Sequence, residues 1–226
     1  MPKRLQKELE GIKKRILALG AMVEERVRMG IKAIENWDAE LALEIRRRDH
    51  EVDELEIEVE EECLKILALH QPVAVDLRFI IAVIKINNDL ERIGDLAVNI
   101  GNRVRNIARR QRLHLPFDFS VMAEKAASML HMSLDALVGL DMDRAHRVLV
   151  LDDEVDHLNR ENYDAIKSIM MEKPESAGCL LNMYILSRHL ERLADHATNI
   201  AEEVIYLVEG EIVRHTKPDQ VDKTQE

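Results

Sequence analysis

Leu90-Glu91-Arg92-Ile93-Gly94-Asp95-Leu96-Ala97-Val98-Asn99-Ile100 returns a hundred positions later as Leu190-Glu191-Arg192-Leu193-Ala194-Asp195-His196-Ala197-Thr198-Asn199-Ile200, with seven of the eleven residues identical. The shared letters include a Glu, an Asp four residues on, and an Asn four further. On a helix that spacing lines the three polar side chains along one edge. The chain therefore reads as two copies of one unit, each carrying the same polar stripe.

The repeat extends outward from this motif. Ala33-Ile34-Glu35-Asn36-Trp37-Asp38 answers to Ala136-Leu137-Val138-Gly139-Leu140-Asp141. Asp49-His50-Glu51-Val52-Asp53 answers to Asp152-Asp153-Glu154-Val155-Asp156, and Pro72 to Pro174. Apolar residues fall at three-to-four spacing nearly throughout, as in Leu9, Ile12, Ile16, Leu19, Val23, Val27 and Ile31. Six helices follow. The first runs from Lys3 to Glu35, and the second from an Asp38 cap to His70. The third is opened by Pro72, whose missing N–H is harmless there, and reaches Arg112. The second set runs from Ser120 to Gly139, from an Asp141 cap to Glu172, and from Pro174 to Gly210.

The fold class is all-α: a tandem repeat of two antiparallel three-helix bundles. Residues 1–114 make the first bundle and 118–210 the second, joined at His114-Leu115-Pro116-Phe117-Asp118. Residues 211–226 are a polar, disordered tail. A helix of about 30 residues is roughly 45 Å long, so the molecule is expected to be elongated.

Composition agrees. Aromatic residues are 3% of the chain, with only eight Gly and five Pro, so long helices with an aliphatic core are favoured over sheets. Cys63 and Cys179 form no paired motif, which points to a reducing cytoplasm. No signal peptide is seen at the N-terminus, and the most apolar stretch, Phe79 to Ile86, is too short to span a bilayer. The net charge of −11 resides wholly in the part after Leu115 and argues against nucleic-acid binding. Arg103, Arg105, Arg109, Arg110 and Arg112 are a local exception. They either complement a helix C-terminus or form a docking patch for an acidic partner or membrane surface.

Four carboxylate pairs have i,i+4 spacing at equivalent sites: Asp49/Asp53, Glu91/Asp95, Asp152/Asp156 and Glu191/Asp195. Like charges so spaced cost a helix roughly 0.2–0.5 kcal/mol per pair, and a bound cation is the simplest compensation. Carboxylate oxygens suit hard ions such as Mg, Ca, Mn or iron. One site per bundle is expected, with a pair from each of two helices converging and Asn99 or Asn199 assisting. A plain solvated acidic face is the competing reading. Arg92 and Arg192 either pair with neighbouring carboxylates or mark a partner surface. Glu154 and His157 have the Glu-x-x-His spacing of di-iron bundles, but no second such pair exists. His189 and His196 read as boundary histidines, and Met122, Met129, Met132, Met170, Met171 and Met183 as helix-interface fillers. No nucleophile or phosphate-loop motif argues for an enzyme.

The two Leu-Glu-Arg-(Ile/Leu)-x-Asp…Asn-Ile motifs, Asp76-Leu77-Arg78, and the Asp-x-Glu-Val-Asp elements at 49–53 and 152–156 resemble the PhoU family over nearly the whole chain before the tail. The resemblance implies PhoU-type bundles, and multinuclear iron or zinc clusters on Glu91, Asp95, Glu191 and Asp195 first, then Asp49, Asp53, Asp152 and Asp156. It also implies a cytoplasmic, often homodimeric negative regulator of phosphate uptake and of the phosphate-starvation response. Such a regulator would link the Pst phosphate transporter, at the inner membrane, to a sensor histidine kinase. Two departures stand out: Ala194 replaces Gly94, and no Asp-Leu-Arg occurs near Leu180. A metal store or di-iron-type oxidase is the alternative, and a ligand-free helical scaffold a third.

Overall fold

The buried stripes of each helix are the three-to-four patterns of the sequence. A computed structural model describes residues 3–109 and 116–211. It places helices at α1 (Lys3–Asn36), α2 (Ala39–Arg47), α3 (His50–His70), α4 (Ala74–Ala108), α5 (Phe119–Gly139), α6 (Met142–Glu172) and α7 (Ala177–Glu209). A 3-10 turn at Pro174–Ser176 precedes α7. No strand occurs among the described residues. The architecture is the expected all-α tandem: α1, α2–α3 and α4 form one three-helix bundle, and α5, α6 and α7 the other.

The turns follow local chemistry. Asp38 accepts from the backbone N–H groups of Glu40 and Leu41 at 2.9 and 3.0 Å, and so starts α2. Asp141 starts α6 through the Arg144 N–H at 3.0 Å, and Asp118 starts α5 through Ser120 at 2.9 Å. Trp37 and Leu140, equivalent residues just before these caps, both take left-handed backbone conformations, with φ of 51° and 50°. Gly210, with φ of 82°, ends α7 where the Arg78 guanidinium leaves no room for a Cβ.

Four boundaries differ from the sequence reading. The second predicted helix is two, because Arg48 turns out of α2 at φ −99° and ψ 6°. Neither Gly nor Pro causes this. Arg26, buried in α1, reaches to within 3.5 Å of the Arg48 carbonyl, and a side chain inserted at a helix backbone breaks the ladder. The equivalent of Arg26, seven residues before Ala136 as Arg26 is before Ala33, is buried Met129, and α6 runs unbroken. Pro72 does not open α4. It forces Gln71 out of the helical region, and α4 starts at Ala74 behind an extended Val73. Pro174 opens the 3-10 turn rather than α7 itself. The third predicted helix ends at Ala108, and Arg110, Arg112, the first half of the expected linker and the tail from residue 212 lie outside the described residues.

The bundles meet through repeat-equivalent helices, α4 with α7 and α1 with α5. Along α4–α7, Lys85 pairs with Glu203, Asp89 with His196 and Asn199, and Arg103 with Asn182. Partner numbers fall as the others rise, so the crossing is antiparallel. It is centred near the equivalent residues Ile93 and Leu193, where an approximate internal twofold passes. Both are buried, and one hydrophobic cluster runs through both bundles. Met122, Met129 and Met183 lie inside it as expected, whereas Met171 is 73% exposed.

Candidate metal centres

Each polar stripe meets a second acidic stripe on the helix beside it. In the first bundle Asp49, just before α3, and Asp53 of α3 face Glu91 and Asp95 of α4. Burial holds the Asp49 carboxyl above the usual range, and Asp53 and Asp95 push it further. Burial also raises Glu91, with Asp95, Glu56 and Asp53 adding to it. In the second bundle Asp152 and Asp156 of α6 face Glu191 and Asp195 of α7. Burial, then Asp195 and Asp156, raise Asp152 to about 6. Glu191 is raised by burial and by Asp195. Asp195 is raised by the protein mass around it and by Asp156, although much of its own surface is exposed.

These shifts mark carboxylates held together at a cost. Glu191 Oε2 is buried with no hydrogen-bond partner, and Asp152 Oδ1, equally buried, has only the Thr198 hydroxyl near enough to lower its pKa. The donor set is all oxygen and anionic, which fits a hard cation. Among the described residues, no three His, Cys, Asp or Glu side chains already stand in the arrangement of a formed metal site.

The stripes are longer than the sequence motif. Asn87, four residues before Glu91, donates to the Glu56 carbonyl at 2.9 Å and to its carboxylate at 3.0 Å. At the equivalent place, Ser187 donates to Asn159 at 2.9 Å, and Asn162 donates to Ser187 at 3.1 Å. Extending the i,i+4 series one step backward finds Asn87 and Ser187. Glu56 and Asn159 are visible only once the helices are paired. The first cluster thus holds a fifth carboxylate, Glu56, whose pKa is raised by burial and by Glu60 and Asp53.

The first cluster also has a neighbour that the second lacks. Arg26 is 1% exposed, forms a short ion pair with Glu51 and lowers the Asp49 pKa. Replacing Arg26 by the equivalent residue, Arg26→Met, should change stability little, because a buried ion pair and an apolar side chain of similar volume are nearly balanced. The same change should raise the Asp49 pKa further, as read by carboxyl-carbon NMR titration. Glu51→Gln should be the more destabilising of the two, since it leaves a buried guanidinium only the more distant Glu25, at 3.4 Å, and the Arg48 carbonyl. A ranking in the opposite order would contradict this.

The remaining candidates are dispersed. Asn199 donates to Asp89 at 3.0 Å at the contact between the bundles, and Asn99 pairs with no described side chain. His196 joins Asp89 at 2.8 Å. His189 is half-buried, both ring nitrogens lack hydrogen bonds, and burial together with Arg103 and Arg192 brings its pKa down to about 4. Glu154 pairs with Lys125 and His157 with Glu161 on the outer surface, so the Glu-x-x-His spacing does not point inward. Arg92 pairs with Glu91 and Asp95 on its own helix at 3.3 and 3.7 Å, and Arg188 forms an ion pair with Glu191. Ala194 and Gly94 are both buried; a Cβ on Gly94 would come within 3.2 Å of Val52. No helix among the described residues is long and apolar enough to cross a membrane.

The family model "PhoU domain" matches twice, over residues 16–104 and 119–204. The chain belongs to the PhoU family. A phosphate-specific transport system accessory protein PhoU homolog from Pseudomonas aeruginosa is 37% identical over 209 residues, covering 92% of this chain and 86% of that protein. The Escherichia coli phosphate-specific transport system accessory protein PhoU is 32% identical, covering 96% and 90%. The crystal structure of PhoU from Pseudomonas aeruginosa superposes with a TM-score of 0.86 at 36% identity, over 91% of this chain and 99% of that one.

Proposed function

We propose that this PhoU-family chain is a non-enzymatic, metal-binding adaptor that restrains phosphate uptake and the phosphate-starvation response. The observation that carries this reading is the pairing of two duplicated carboxylate clusters, the second with a buried Glu191 oxygen that nothing satisfies. Asp49, Asp53, Glu91 and Asp95 would hold the cation of the first bundle, and Asp152, Asp156, Glu191 and Asp195 that of the second. Multinuclear iron or zinc suits the number of carboxylates. Bound ions turn a repulsive acidic face neutral or positive, and such a change of local charge can select a partner. The names of the relatives support the phosphate-specific transporter as one partner. We extend this to a sensor histidine kinase, a homodimeric state and a cytoplasmic location beside the inner membrane. The outward-facing Glu154 and His157 leave the oxidase alternative without its ligands.

Metal analysis of the purified protein tests the reading. Glu91→Ala with Asp95→Ala should remove metal from the first bundle and leave the second loaded. Equal loss from both would contradict independent sites. A pull-down from native cells at high and low phosphate, read by mass spectrometry, should recover transporter subunits in a phosphate-dependent manner.

A further inference from the structure

An apolar groove of about 190 Å³ opens at one end of the molecule, where α1, α4, α5 and α7 meet. Ile16, Leu17, Phe79, Leu137 and Leu207 wall it, and Val75 and Leu140 form its lips, 67% and 50% exposed. Exposed apolar side chains gathered around a concavity mark a place where another surface sits.

The internal twofold supplies a comparison. The equivalent turn at the opposite end carries Trp37 in place of Leu140, with almost the same backbone angle. There Trp37 packs edge-on to Phe119 at 6.5 Å, and Phe119 edge-on to Phe117 at 5.1 Å. Phe119 is the repeat equivalent of Ile16. Two rings, Trp37 and Phe119, stand at one end where Leu140 and Ile16 line the groove at the other.

The lining is basic, although Asp76 and Asp141 follow the lips Val75 and Leu140 in the chain. Lys13 lines it and no carboxylate does. Arg78, adjacent to Phe79, lies 5.9 Å from the ring centre of Tyr206, next to Leu207. Among the described residues neither cation has a carboxylate partner.

We propose that this groove docks an acidic amphipathic helix of a protein partner. The helix inserts one large apolar side chain where Trp37 sits at the far end and sets a carboxylate against Lys13 and Arg78. The site is separate from the carboxylate clusters and does not depend on metal.

The test uses the full chain and three short helical peptides: a Trp anchor with Glu one turn away, the same anchor with Lys, and an Ala in place of the anchor. Fluorescence anisotropy gives affinities, and amide chemical shifts locate the site. The Glu peptide should bind at least roughly tenfold tighter than either control, with shifts at Val75, Phe79 and Leu140. Leu140→Trp should fill the groove as Trp37 does and weaken binding at least roughly tenfold, with the melting temperature retained. Should that variant fail to fold, Lys13→Glu with Arg78→Glu decides, by reversing the preference to the Lys peptide. Equal binding of Glu and Lys peptides, or binding indifferent to Leu140→Trp, overturns the proposal. So does binding to anionic vesicles but to no peptide, self-association through the groove that Leu140→Trp abolishes, or peptide binding that appears only after residues 212–226 are removed.

Discussion

Changing Asp152 and Asp195 to Asn should stabilise the metal-free protein and destabilise the metal-loaded one. The first half follows from burial and mutual repulsion. Burial holds the Asp152 carboxyl up at about 6, well above its ordinary value, so at neutral pH its charge opposes folding. With solvent screening of a half-buried group, the relief is about 1–2 kcal/mol, or roughly 2–6 °C for a chain of this size. The second half follows from linkage. A cation at 100 to 1,000 times its Kd adds about 3–4 kcal/mol to the native state, and the amides forfeit that.

The pH dependence has a definite sign. Between roughly pH 4 and pH 6 the folded Asp152 binds more proton than the unfolded one, so its contribution to the stability of the metal-free protein falls as pH rises through that window. Above it the loss is complete. Asp49, Glu91, Glu191 and Asp195 are shifted the same way and reinforce the trend. His189, brought down to about 4 by burial, and Glu8 and Glu51, lowered by Arg4 and Arg48, act oppositely, so the difference between parent and variant is the quantity to read. Thermal melts from pH 4 to 7 with chelator, then with ferric or zinc ion, decide it. A parent and variant that melt alike with and without metal would remove the reason for the clusters.

The second large effect concerns the two halves. Residues 1–114 made alone should not reach a native fold, although they contain a complete three-helix bundle. Separation uncovers the face of α4 that packs on α7, with Ile93 fully buried near the crossing, together with the α1 face against α5. Each large apolar residue returned to water costs about 1.5–3 kcal/mol, so a few of them exceed the net stability of a typical domain. The isolated half should keep helical far-ultraviolet dichroism and lose slow amide exchange, while the intact chain should unfold in one transition. Two separate transitions in the intact chain, or a half with slow exchange, would show that the seam is dispensable.

Much of the molecule was legible in the residues. The helix positions came from periodicity, the caps from Asp38 and Asp141, and the facing stripes from the duplicated Glu and Asp. What stayed hidden depends on contacts between elements distant in sequence. Nothing at Arg48-Asp49 signals a break, because the cause is a guanidinium on another helix. Glu56 looked like one more surface carboxylate until Asn87 was found beside it. The Asn of each motif was expected at the carboxylate cluster. Asn199 instead faces Asp89, because α4–α7 packing uses that turn of the stripe for the seam.

The internal twofold near Ile93 and Leu193 has an evolutionary consequence. Helices that meet their own counterparts antiparallel are what two separate half-length polypeptides would make on self-pairing. A symmetric pair must accept every substitution twice, once on each side of its axis. After gene duplication and fusion, a change is accepted once. Arg26 opposite Met129, and Trp37 opposite Leu140, are differences that only a fused ancestor is free to explore, and they give one polypeptide two unlike ends.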